Sequence, residues 1–229
     1  MISDPGLRRK LRPETPFGGK RVLVEQGFYS AFEHGLATLI TERIDSVTEN
    51  GIALSDGSVA EYDVMVFCTG YQTQEALRTI SGGVHNERTG KELKRDLWER
   101  TNCYAFCGRT VSGFPNYFLI MGPGSGLGHS SMINIIESDC EYIRQIIERF
   151  VVMDGHWVSI DVRREVMEQF VAASDEQMEK MVWSDDNVRS WYKNDRQRVA
   201  ALFAWSTVRY WWMSRKVDWT DYNVNVAKT

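Results

Sequence analysis

The stretch from Tyr117 to Phe150 constrains this chain more than any other. An apolar run, Tyr117-Phe118-Leu119-Ile120-Met121, leads into Gly122-Pro123-Gly124-Ser125-Gly126-Leu127-Gly128. A periodic segment follows at once. Met132, Ile135, Ile136, Cys140, Ile143, Ile146, Ile147 and Phe150 recur at steps of three or four, which predicts an amphipathic helix over 129–150. Ser130 or Ser131 is available to cap it. The unit therefore reads as a strand, a glycine-rich turn and a long helix. Free N–H groups and the positive end of the helix dipole favour negative charge at such a junction. The spacing is neither G-x-G-x-x-G nor a phosphate-binding loop ending in Gly-Lys-Ser/Thr. A ligand-facing turn and a plain strand–helix connection both remain open on the residues alone.

The rest of the chain supplies an α/β pattern. Residues 1–35 are rich in Pro, Gly and charge and read as an irregular connecting segment. Residues 36–48, Ile52–Leu54 and Val59–Tyr62 read as strands joined at Asn50-Gly51 and Asp56-Gly57, a β-meander. Asp63-Val64-Met65-Val66-Phe67-Cys68 is a continuous apolar run, the pattern of a strand buried on both faces of a parallel sheet. It exits at Thr69-Gly70-Tyr71. A second helix is predicted from about Val162 to Met181. Six of the eight tryptophans lie after residue 180. They are read mainly as packing, with a ligand-facing wall as the alternative. The chain divides into a connector (1–35), an α/β unit (36–160) and a helical Trp-rich extension (161–229).

Composition removes several classes. With 27 Lys plus Arg against 31 Asp plus Glu, the formal charge is -4. A nucleic-acid binder would show a basic surplus. No apolar run is long enough for a transmembrane helix, and the N-terminus lacks a signal-peptide pattern, so a cytoplasmic location is expected. Cys68, Cys103, Cys107 and Cys140 are read as buried reduced thiols, with Cys103 and Cys107 in a strand. No metal site is expected. Asp139, Glu141 and Asp185-Asp186 read as solvated charges. His129 is the one histidine at a junction where chemistry is plausible. His34, His85 and His156 read as surface residues.

Several segments together resemble the C-terminal part of class B flavoprotein monooxygenases, in particular the Baeyer–Villiger branch that includes 4-hydroxyacetophenone-type enzymes. Asp4-Pro5 to Arg9-Lys10-Leu11-x-Pro13, then Lys20-Arg21, is similar to the family's return from its NADPH domain. Tyr62 to Tyr71 resembles D-x-x-V-x-A-T-G-[FY], with Cys68 in place of Ala. Gly113-Phe114-Pro115-Asn116-Tyr117-Phe118 matches G-F-P-N-x-F. Gly122-Pro123 and Leu127-Gly128-His129-Ser130-Ser131 match G-P-x-x-x-L-G-H-x-S. Ile136-Glu137-Ser138 fits the helix that follows. Trp183 with Ser190-Trp191-Tyr192 resembles the family's tail.

The resemblance implies an incomplete Rossmann-like FAD domain. It places Thr69, Gly70 and Tyr71 near FAD, together with Gly122, Pro123, Leu127, Gly128, His129 and Ser130. The backbone of 127–130 would face the pyrimidine end of the flavin. Both dinucleotide fingerprints of the family are absent from this sequence, as is the region holding its catalytic Arg and the NADPH site. The first expectation is thus a C-terminal portion that needs an N-terminal half to complete FAD and NADPH binding and to act on a small organic substrate. A second is a repurposed homologue catalysing a non-redox isomerisation, dehydration or cyclisation, with His129, Tyr71 and Glu137 as acid–base groups. A third is a non-catalytic oligomerising partner, such as a homodimer.

Overall fold

The computed structural model describes residues 2–70, 83–101, 103–152 and 157–227. They form two compact units. The first comprises Met1–Glu14 and Val22–Tyr71, the second Thr15–Arg21 and Gln72–Thr229.

In the first unit, residues expected to be irregular form two short helices. Helix α1 spans Pro5–Leu11 and α2 spans Phe28–Glu33. Asp4 caps α1 by accepting the Gly6 N–H at 2.7 Å, and Pro5 occupies the first turn, where its missing N–H costs nothing. That Asp-Pro signal was in the sequence, masked by the surrounding glycine and charge. The meander forms as expected: β1 (Ile44–Val47), β2 (Gly51–Leu54) and β3 (Val59–Glu61) pair antiparallel in that order. At the second turn, Asp56 Oδ1 accepts from Ser58 N–H at 2.9 Å, and Gly57 takes φ +87°. At the first, Gly51 belongs to the strand. Its lack of a side chain serves the sheet, since a Cβ would fall 2.0 Å from the Ala60 carbonyl oxygen.

The expected buried strand at Asp63–Cys68 is not one. The run has no strand pairing, and Val64, Val66 and Phe67 are 76%, 76% and 71% exposed. A strand buried on both faces needs neighbouring strands and two covering layers. The described residues of this unit provide neither.

The second unit contains the main core. Helix α3 spans Met132–Val152 and packs against α5 (Thr207–Ser214), while α4 spans Arg164–Glu179. Val162, expected to open the second helix, instead ends strand β6 (Trp157–Val162). That strand pairs antiparallel with β7 (Tyr222–Ala227), a sheet the sequence did not announce. A two-residue hairpin, β4 (His85–Asn86) with β5 (Lys91–Glu92), completes the α/β fold. Tyr117–Met121 contributes a single bridge, Phe118 to Thr110, in place of a strand. Cys103 and Cys107 have φ of 64° and 51°, which excludes the strand expected there. Cys107 is buried, but Cys68 and Cys140 are exposed, contrary to their reading as core thiols.

Candidate functional site

The glycine-rich loop is held by its own chain. The Gly124 N–H donates to the Ala200 carbonyl and the Gly126 N–H to Ala201, both at 2.8 Å. The Phe203 N–H returns to the Gly126 carbonyl at 2.7 Å. A Cβ on Gly126 would lie 2.7 Å from the Ala201 carbonyl oxygen, so this glycine permits one backbone strand to approach another. Leu127 is buried with Ile135, Phe203 and Tyr210. Gly122, Pro123 and Leu127 are all buried, while Gly128 and Ser130 are half-buried and His129 is exposed. The stretch 128–130 is one accessible part of this loop, and Gly124 and Gly126 are also half-buried.

Helix α3 begins at Met132, three residues after His129. His129 therefore precedes the first turn and is not part of it. Its ring lies nearly parallel to that of Trp183, with centroids 6.3 Å apart and planes at 10°. Glu137 lines an open groove of about 530 Å³ with Asn134, Thr207, Val208 and Trp211, to which His129 does not contribute. Thr69 and Gly70 lie exposed in the first unit, and Gly70 has φ +87°. Tyr71 lies outside the described residues. The tryptophans divide in their roles. Trp205 packs between Phe170 and Phe203, whereas Trp211 and Trp212 are 49% and 69% exposed.

Behind the loop lies a buried ionic network. Asp139, read as a solvated charge, is fully buried. Its Oδ1 accepts from Arg109 Nε at 2.7 Å and from the Tyr210 hydroxyl at 2.5 Å. Its Oδ2 accepts the Met121 N–H at 3.0 Å and so fixes the residue entering the glycine turn, which has φ +56°. Arg109 also donates to Ser214 Oγ and lies between the rings of Tyr142 and Tyr210, at 4.7 and 4.4 Å. Two of its three nitrogens are engaged. Nη1 is buried without a hydrogen-bond partner among the described residues. The helical spacing could have revealed Asp139: it lies four residues after Ile135 and three before Tyr142, on the buried stripe. Nothing local pointed to Arg109 as its partner.

Burial opposes the Arg109 charge, but Tyr210, Cys107 and Asp139 raise its pKa on balance. Burial pushes the Tyr142 and Tyr210 hydroxyls up, and Tyr222 to about 12. Burial likewise raises the Cys107 thiol to about 12. Through the Met121 N–H the network is tied to the residue that enters the loop. No cluster of potential metal ligands occurs among the described residues, and no helix among them is long and apolar enough to cross a membrane.

No protein-family model matches the chain. A Baeyer–Villiger monooxygenase of Pseudomonas aeruginosa is 34% identical over 228 residues, covering 99% of this chain and 42% of that protein. An FAD-binding monooxygenase of Aspergillus niger is 30% identical over 226 residues, covering 97% of the chain and 36% of its own length. Among solved structures, an oxidised steroid monooxygenase bound to NADP superposes with TM-score 0.82 at 23% identity, covering 100% of this chain and 42% of that one. The chain thus spans about two-fifths of the length of the proteins it matches. Over nearly its whole length the chain is similar to Baeyer–Villiger monooxygenases, in a way consistent with a C-terminal part of such proteins.

Proposed function

We propose that this chain is the C-terminal FAD-domain portion of a flavin-dependent monooxygenase of the Baeyer–Villiger type. The observation carrying this reading is the 34% identity to a Baeyer–Villiger monooxygenase across 99% of the chain. The site geometry fits it. Gly128, His129 and Ser130 form the accessible edge of a loop leading to a 21-residue helix, and Asp139 and Ala201 hold the buried part of that loop in place. Bound FAD would supply the oxygen-insertion chemistry on a small organic carbonyl compound. The chain's own contribution is to orient and shield one side of the flavin, with the 127–130 backbone toward its pyrimidine end. Thr69, Gly70 and Tyr71 would approach the same cofactor. An N-terminal half, contributing both dinucleotide fingerprints, would complete the FAD and NADPH sites. The geometry gives no support to the non-redox alternative, because Glu137 lines a groove without His129.

The test is the absorbance spectrum of the purified chain with added FAD, alone and mixed with the separately produced N-terminal half of the Pseudomonas relative. Retained flavin absorbance and NADPH-dependent oxygen uptake in the mixture are expected. Absence of flavin retention in both samples would overturn the reading.

A further inference from the structure

Three independent contacts converge on the indole of Trp183. One face lies nearly parallel to the His129 imidazole, at a centroid distance of 6.3 Å. Its six-membered edge abuts Gly128, where an added Cβ would lie 3.0 Å from Trp183 Cζ2 and 3.4 Å from Cε2. Its Nε1–H donates to the Gly18 carbonyl at 3.1 Å, across 165 residues of sequence. The indole also has a firm mount. Trp183 sits in the short turn Val182–Ser184, and Ser184 Oγ donates to the Met178 carbonyl near the end of α4 at 2.7 Å. At the far end of the tether, Gly19 packs so closely on Val188 that a Cβ would fall 2.6 Å from Val188 Cγ2.

We infer that Trp183 is a positioning residue of the 128–130 edge: it covers one face of His129, restricts the loop to glycine at 128, and ties that edge to the segment Thr15–Arg21. This rests on the reading of the edge as flavin-facing. An exposed imidazole alone would rotate freely about its side-chain torsions. With one face against an indole, a single orientation is favoured, and a planar ligand can approach only from the open side. All three contacting segments belong to the second unit. The Gly18 tether also makes the edge sensitive to the segment through which the chain enters and leaves that unit.

The experiment uses the full 229-residue chain labelled for histidine NMR. The ring protons of His129, assigned by their loss in His129→Asn, should show the ring-current shift of a neighbouring indole. Trp183→Ala should move them toward the position of a free histidine. Trp183→Phe, which keeps an aromatic face but lacks the N–H, should restore most of the shift while losing protection at the tether. Gly128→Ala, which leaves Trp183 in the sequence but crowds it, should also disturb the shift. Unchanged His129 resonances in both Trp183→Ala and Gly128→Ala would overturn the inference. Titrating the same samples with FAD separates the two ideas. A wild-type chain with the shift but no flavin binding, even with the N-terminal half supplied, sinks the flavin reading and leaves the Trp183 linkage standing. FAD binding with no Trp183-dependent shift does the reverse.

Discussion

The two units share a hydrophobic vocabulary and differ in what they do with it. In the second, Ile146, Val188, Phe203, Tyr210 and Val217 are almost wholly removed from solvent. In the first, Ile2 and Leu54 are the only buried large hydrophobic residues among those described, while Leu23, Val24, Leu36, Val64, Val66 and Phe67 are each more than 60% exposed. Burying one such side chain contributes roughly 1.5–3 kcal/mol, and the first unit leaves most of that unrealised. Hydrophobic pattern shows which residues can be buried. Burial itself depends on a second surface. Under the proposed function that surface would come from the N-terminal half.

The largest expected effect lies in the buried network. Asp139→Ala should destabilise the second unit by about 3–5 kcal/mol, because it strands the Arg109 guanidinium without its carboxylate. Denaturant unfolding measures this. Removing both charges together, as Arg109→Met with Asp139→Leu, should cost less than the sum of the single changes. By contrast, the exposed pairs of Arg144 with Glu141 and Glu148 should contribute little when removed. An Asp139→Ala cost under about 1 kcal/mol would contradict the assignment of this network as the anchor of the unit.

A truncation pair tests the comparison next. Ile146→Ala should cost about 2–5 kcal/mol. Val66→Ala should stay within about 0.5 kcal/mol. If the two costs matched, the contrast in burial between the units would be lost.

Thiol chemistry makes the same comparison without mutation. Cys68 in the first unit and Cys140 on the outer side of α3 are exposed and should react promptly with a chromogenic disulfide reagent. Cys107, buried and raised to about 12, should stay silent until the second unit unfolds. Equal rates for Cys107 and Cys68 would break the contrast.

The smallest effect is one of pH. Burial raises the pKa of Asp161, against the lowering effect of the Gly113 N–H it accepts at 3.0 Å. A raised carboxyl pKa favours the folded state most below the ordinary aspartate range. That contribution is lost as pH rises through the raised value. Since Asp161 is only half-buried, the change should be under about 1 kcal/mol. Asp161→Asn should flatten this part of the stability–pH curve. An unchanged slope would assign it to other carboxyls.

The sequence by itself determined the meander, the long helix and the resemblance to flavin monooxygenases. Each rests on local signals: turn residues at Asp56-Gly57, a 3.6-residue period from Met132, and short motifs such as Leu127-Gly128-His129. Periodicity marked Ile135 and Ile146 on the buried side of α3, but it also marked Cys140 and Ile147, which are exposed, and it left out the buried Asp139 and Tyr142. Tertiary structure alone decided which apolar runs found partners. Asp63–Cys68 reads as an interior strand and lies exposed. Val162 reads as helix and closes a strand against Tyr222, 60 residues on. Arg109 meets Asp139 across 30 residues, and Trp183 meets Gly18 across 165. The physical reason is the range of the forces. Backbone conformation responds to the nearest few residues. Burial, ion pairing and ring stacking depend on surfaces that only the folded chain brings together.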